Sequence, residues 1–188
     1  HMGFVLLGIY AFNELALQGA VMQMVAHGLS TAALFLIAGA LQQRLHTRDM
    51  TAMGGLWALA PRLGAMTLFF IVASLGMPGL GNFVGEFLVL LGGFQANIVI
   101  TCIATLGLVT GAAYALIAIQ RVFHGEVSPK VRLTDLGGRE FIALLPLLLG
   151  LVWLGVAPQP LFDLVEPMRS NVRQLVIPSS NQWLGGVR

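Results

Sequence analysis

Apolar residues run along this chain in five long blocks separated by short polar stretches, at roughly 2–12, 16–42, 63–93, 97–121 and 140–157. The last four approach or exceed the about 20 residues a helix needs to cross a bilayer core. The pattern predicts an all-α fold: a polytopic transmembrane helix bundle with one broken helix over residues 1–160, followed by an amphipathic or extended tail over 161–188. The first block is short, and "HMGFVLLGIYAF" reads as the second half of a spanning helix, so the chain is expected to be a piece of a longer protein.

The third block is too long for one straight span, and its centre holds the run Ser74-Leu75-Gly76-Met77-Pro78-Gly79-Leu80-Gly81. Pro78 removes a backbone donor and clashes with the preceding turn, while Gly79 and Gly81 leave the backbone free to depart from helical angles. A helix broken in mid-membrane follows. Lipid offers the freed backbone groups no partners, so such a break is expected to face protein or water. In the tail, Leu161, Leu164, Val165, Met168, Val172, Leu175 and Val176 fall at helical spacing, interrupted near Pro167. That stretch either lies along the membrane interface or packs on a neighbouring subunit. Trp57, Trp153 and Trp183 are expected near the membrane boundaries.

Composition agrees with the blocks: 57% of the residues are hydrophobic and 10% charged, against about 25% charged in a soluble domain. The net charge of +2 is small and scattered, which excludes nucleic acid as a partner. The lone Cys102 can form neither an internal disulfide nor a cysteine-rich metal site and reads as a small packing residue. Arg44, Arg48 and Arg62 follow the second block, and Arg121, Lys130, Arg132 and Arg139 flank the loop after the fourth. Arg169, Arg173 and Arg188 remain in the tail. By the positive-inside rule the two basic loops are cytoplasmic and the C-terminus lies on the opposite side.

Candidate chemistry lies inside the apolar blocks. Gln23, His27, Ser30 and Thr31, at spacings of three and four, form one polar helix face. Burying such groups against lipid without partners costs several kcal/mol, so the face should point into the bundle. Histidine suits a proton relay there, because imidazole binds and releases protons near neutral pH. Glu86 follows Asn82 by one turn, just beyond the break; an ionisable group near the bilayer centre costs roughly 3 kcal/mol or more and is a functional candidate. The same carboxylate could instead cap the second half-helix by accepting from its backbone donors. Thr101 and Thr105 share a face that could bond water or another helix, and Gly107 and Gly111 form a small-xxx-small pattern that permits close helix packing. His46 and His124 lie among polar loop residues and are assigned no role. His1 ahead of Met-Gly reads either as a cloning remnant or as a native helix residue. No phosphate, dinucleotide or metal-ligand motif is present, so neither a cofactor nor a metal is expected on this chain.

Three stretches in order, "AHGLSTAALF" (26–35), "HTRDMTAMGGL" (46–56) and "GMPGLGNFVGEF" (76–87), resemble a known family. They look like the C-terminal half of chain M of bacterial NADH:quinone oxidoreductase, respiratory complex I, one of the antiporter-like, proton-pumping subunits. The likeness runs from residue 1 to about 160. It implies inverted five-helix repeats, each with a broken helix, and a line of buried ionisable residues along the membrane midplane. On that likeness Glu86 corresponds to a carboxylate of the second half-channel and His27 to a relay histidine. His1 corresponds to a further histidine, which favours a native residue. The family's membrane lysines have no counterpart, since Lys130 is in a loop. The resemblance implies a bacterial inner (cytoplasmic) membrane with the C-terminus periplasmic. Its partners would be the other membrane subunits of complex I, neighbouring antiporter-like ones above all, and the lipid bilayer. FMN, iron-sulfur clusters and quinone would reside on other subunits, with no redox chemistry on this chain. Two rivals stay open: a homologous subunit of a multisubunit cation/proton antiporter or membrane-bound hydrogenase, and a structural membrane subunit whose polar groups only hold helices together.

Overall fold

The apolar blocks become helices in a computed structural model that describes residues 1–50, 53–126 and 133–166. In chain order they are α1 (Met2–Tyr10), α2 (Glu14–Leu45), α3 (Leu56–Leu59), α4 (Pro61–Ser74), α5 (Gly81–Ala96), α6 (Ile98–Phe123) and α7 (Gly138–Val156). Residues 159–166 are also helical. Among the described residues there is no strand, as the sequence predicts, and α2, α6 and α7 are long and apolar enough to cross a membrane. The third block is split at residues 75–80, where Gly76 and Gly79 adopt left-handed angles (φ 71° and 93°). These are conformations that glycine enters without a Cβ penalty.

Local chemistry sets several ends. Asn13 accepts from the Ala16 N–H at 2.8 Å and starts α2, while Asn97 does the same for the Ile100 N–H at 3.0 Å and starts α6. The Asn13 amide also donates to the Gly92 carbonyl at 2.7 Å, so one residue ties the start of α2 to the last turns of α5.

The most extensive interhelical contact is between α2 and α5, and glycine makes it possible. A Cβ at Gly19 would meet the Val89 nitrogen at 2.5 Å, and one at Gly85 would meet the Gln23 nitrogen at 2.7 Å. The two backbones are therefore in direct contact, a mode of association suited to membranes, where helices gain little from burying apolar surface against each other. The pair expected to do this, Gly107 and Gly111, does not: a Cβ on Gly107 would meet nothing, and one on Gly111 would meet only Tyr114 of its own helix at 3.9 Å. Cys102 is likewise exposed rather than packed, because α6 turns that side outward.

Helix α7 covers the break from one side. Gly155 lies against the backbone of Gly79 and Leu80, and Gly81 packs between Leu154 and Ala26. Around them Met22, Phe70, Leu151 and Leu154 form the buried core. The break is only partly enclosed within this chain: Leu80 is buried, whereas Met77, Pro78 and Gly79 are exposed. The expectation of an interior position holds for its inner side.

The loops after α2 and α6 meet at one end of the bundle. Gly55 N–H donates to the His124 carbonyl at 3.0 Å, and the Trp57 and His124 rings stack at 6.1 Å; this gives His124 a structural partner the sequence did not suggest. Arg44 Nη2 donates to Glu140 Oε2 at 2.6 Å. Helix α4 has no cap of its own, with Ala60 before Pro61, and borrows one. Asp135 Oδ2 accepts from Arg62 N–H at 3.2 Å and Oδ1 from Leu63 N–H at 3.0 Å, while Leu136 N–H donates to Oδ1 at 2.7 Å. Burial pushes the Asp135 carboxyl up, but the backbone donors of Leu136, Leu63 and Arg62, with the Arg62 charge, outweigh it and hold the group below its ordinary value. Arg44, Arg48, Arg62, Arg121 and Arg139 thus gather toward one end, while Lys130, Arg132 and the tail arginines lie outside the described residues. Of the tail pattern, residues 161–166 continue the helix from 159, with Val165 buried and Leu164 exposed; Pro167, Met168, Val172, Leu175, Val176 and Trp183 lie outside the described residues.

Candidate functional site

Helix α5 places Glu86 in its second turn, facing α2 and the start of α1, and the residue is 4% exposed. The cap reading does not hold, since α5 begins at Gly81 after Leu80 without a side-chain cap and the Glu86 carboxylate is bonded elsewhere. His1 Nδ1 lies 3.0 Å from its Oε1, close enough for the ring N–H to donate, and Gln23 Nε2 donates to the same oxygen at 3.2 Å. The other oxygen points at the break: a Cβ on Gly76 would sit 2.5 Å from Oε2. Gly76 is therefore required twice, for its left-handed angle and for the room its missing side chain leaves beside the carboxylate.

From His1 the arrangement continues into α2. The His1 and His27 rings stack with centroids 5.1 Å apart and an interplanar angle of 29°. Thr31 Oγ1 lies 3.3 Å from the His27 imidazole nitrogens. His1, His27 and Thr31, but not Glu86, border a cleft of about 270 Å³ between α2, α4 and α6, lined also by Ser74, Leu75 and Tyr114. The cleft is open on one side and largely apolar, with room for several water molecules beside its few polar groups, each occupying about 30 Å³ in the liquid.

The polar face of α2 divides between two neighbours. Gln23 and Ser30 are buried against α5, whereas His27 and Thr31 turn toward the cavity. Asn82 joins three helices: its amide donates to Ser30 Oγ at 3.1 Å and to the Ala73 carbonyl at 2.8 Å, across the break. The Ser30 hydroxyl donates to the His27 carbonyl at 3.2 Å. Two buried acceptors, Gln23 Oε1 and Asn82 Oδ1, have no hydrogen-bond partner among the described residues. Thr101 and Thr105 stand apart from this cluster. Their hydroxyls donate to the carbonyls of Asn97 and Thr101, each at 2.8 Å, and Thr101 packs on Gly93. Among the described residues no group of three or more His, Cys, Asp or Glu could hold a metal ion.

Comparison with known proteins accounts for this architecture. The model of the family described as NADH:quinone oxidoreductase/Mrp antiporter, transmembrane, matches residues 1–112. The chain belongs to that family. Among the relatives of this antiporter-family chain is NADH-quinone oxidoreductase subunit M of Pseudomonas aeruginosa, 51% identical over 98% of this chain and 35% of the relative. The chain thus spans about a third of the length of the curated relative. A chain of respiratory complex I from Thermus thermophilus, solved with bound NADH, superposes with a TM-score of 0.88 at 34% identity, over 94% of this chain and 38% of that one. The Mrp complex from Dietzia superposes with a TM-score of 0.77 at 18% identity, over 95% of this chain and 41% of that chain; this likeness shows a shared fold. The resemblance drawn from the three sequence stretches is borne out by these findings.

Sequence reasoning missed several residues that shape the site of this antiporter-family chain. Gly19 and Gly85 set the α2–α5 distance, Gly76 makes room for the carboxylate, and Tyr114 lines the cavity. A search for small residues on α2 and α5 at spacings of three and four would have pointed to Gly19 and Gly85. Tyr114 had no signal beyond being a polar-tipped aromatic in an apolar helix.

Proposed function

We propose that this chain is part of a proton-translocating membrane subunit of NADH:quinone oxidoreductase, complex I, and carries part of a transmembrane proton path coupled to quinone reduction elsewhere in the complex. One observation carries the reading: a buried carboxylate at a broken helix, Glu86, is in hydrogen-bond contact with His1, whose ring stacks on His27 at the wall of a cavity. A carboxylate taken out of water requires partners, and imidazole is a side chain able both to bind and to release a proton. In this path His27 and His1 receive protons from the cavity and Glu86 accepts them across the 3.0 Å contact. Gln23, Ser30, Thr31 and Asn82 hold the three in register. A change of charge along the midplane, driven by quinone chemistry on other subunits, alters the proton affinity of these groups and moves protons from the cytoplasmic to the periplasmic side. FMN, iron-sulfur clusters and quinone belong to other subunits, and this chain performs no redox step. Its partners are the other membrane subunits, antiporter-like ones foremost, in a bacterial inner membrane with the basic loops cytoplasmic and the C-terminus periplasmic.

The test is Glu86→Gln in the full-length subunit, with NADH-driven acidification measured in inverted membrane vesicles. Pumping should fall severalfold while complex assembly, judged by NADH oxidation with an artificial acceptor, is retained. Undiminished pumping in the assembled variant would remove Glu86 from the path. A cation/proton antiporter subunit is the second reading, favoured by the Mrp superposition. Co-purification with flavin and iron-sulfur proteins that oxidise NADH decides against it.

A further inference from the structure

Gln23 is fully buried at the α2–α5 crossing, yet its carboxamide makes a single hydrogen bond: Nε2 donates to Glu86 Oε1 at 3.2 Å, and Oε1 has no partner. An unused buried acceptor is unusual in a folded protein, and this one sits on the amide that bonds the candidate carboxylate. The comparison within the same site is the other buried amide, Asn82. Its oxygen is unpartnered too, but its Nδ2 is pinned by two acceptors, Ser30 Oγ and the Ala73 carbonyl. Nothing pins Gln23 except Glu86 itself. Its Oε1 lies over Gly85, where a Cβ would approach to 2.7 Å, so the missing side chain there leaves the amide plane free on that side.

We infer that Gln23 is a positioning residue that follows the protonation state of Glu86, donating through Nε2 to the carboxylate and, after a half turn of the amide, accepting through Oε1 from the protonated carboxyl. An amide carries a donor and an acceptor that exchange places on a half turn. The step balances simply. A proton on His1 Nδ1 passes to a Glu86 oxygen and leaves a neutral imidazole; the new O–H then swings from His1 to Gln23 Oε1. Turned away from His1, that proton cannot return directly, and the imidazole is free to take another from the cavity side. The titratable groups at the site are His1 ahead of α1, which contacts Glu86, His27 on α2, which stacks on His1, and Tyr114 of α6, which lines the adjoining cleft. The role rests on the proton-path reading above and specifies how the acceptor of that path holds its proton.

The experiment uses the assembled complex with the full-length subunit. Gln23→Met keeps the volume at the helix crossing but has neither donor nor acceptor of comparable strength. Infrared difference spectra recorded across a pH titration give the C=O stretch of protonated Glu86, identified as the band lost in Glu86→Gln. In Gln23→Met that band should move to higher wavenumber, because the carboxyl O–H loses its acceptor. The pH profile of pumping should shift as well. An unmoved band with an unmoved pH profile in Gln23→Met, while Glu86→Gln still lowers pumping severalfold, overturns the inference and leaves the proton path standing. Full pumping by Glu86→Gln overturns both.

Discussion

Gly85→Ala offers a direct test of the packing beneath the site. The added Cβ would lie 2.7 Å from Gln23 N and from Gln23 Oε1, and 2.8 Å from Gln23 Cα. Two of these are backbone atoms, which cannot swing aside as a flexible side chain would. Ordinary contact requires about 3.5–4.0 Å, so α2 and α5 must separate locally by roughly 1 Å. The 3.2 Å bond from Gln23 Nε2 to Glu86 Oε1 would then stretch beyond hydrogen-bonding range. Overpacking of this kind costs about 1–3 kcal/mol, partly offset by the gain of about 0.5–1 kcal/mol when alanine replaces glycine within a helix. The net expectation is a loss of about 0–2.5 kcal/mol, with impaired pumping because Glu86 loses a partner. The control is Gly107→Ala, where the Cβ meets open space and stability should be unchanged or slightly raised. Both variants would be made in the full-length subunit and compared by thermal unfolding of the purified complex and by proton pumping in vesicles. A Gly85→Ala complex as stable and as active as the parent, matching Gly107→Ala, would refute the close crossing.

Two further expectations follow from single residues. Asp135→Ala removes the borrowed cap of α4 and should cost about 0.5–2 kcal/mol, as loss of an N-cap does. Because the folded carboxyl lies below its ordinary value, its contribution is present above the unfolded value of about 3.9 and is lost as pH falls through the folded one. The stability gap between parent and variant should therefore be full at pH 7 and close on acidification below about pH 4, as read by unfolding at a series of pH values; a gap that persists at low pH would count against the cap. Asn82→Leu leaves the Ala73 carbonyl and Ser30 hydroxyl without their donor and should cost about 1–3 kcal/mol. It should also raise amide exchange around residues 73–82, and unaltered exchange there would show that the two half-helices do not depend on this tie.

The sequence by itself determined the helices and the break. Apolar blocks of spanning length leave the backbone no partner but itself in lipid, and Pro78 with glycines on either side ends one helix and starts another within a single block. Its candidate residues were legible for the same reason: Glu86, His27 and the amides stand out because an ionisable or polar group in such a block is expensive. Tertiary structure decided which of them meet. Thr101 and Thr105 share a face and are satisfied by their own helix, whereas His1 and Glu86, 85 positions apart, are 3.0 Å apart in space. The small-xxx-small pattern on α6 brings no second helix into close contact, while Gly19 and Gly85, unremarked in the sequence, bring two backbones together. Asp135 caps a helix that begins more than 70 residues earlier. Spacing along a chain fixes which side chains share a face of one helix, because the helical repeat is local. It carries no distance between helices; those are set by how closely backbones can approach, and here by a few missing Cβ atoms.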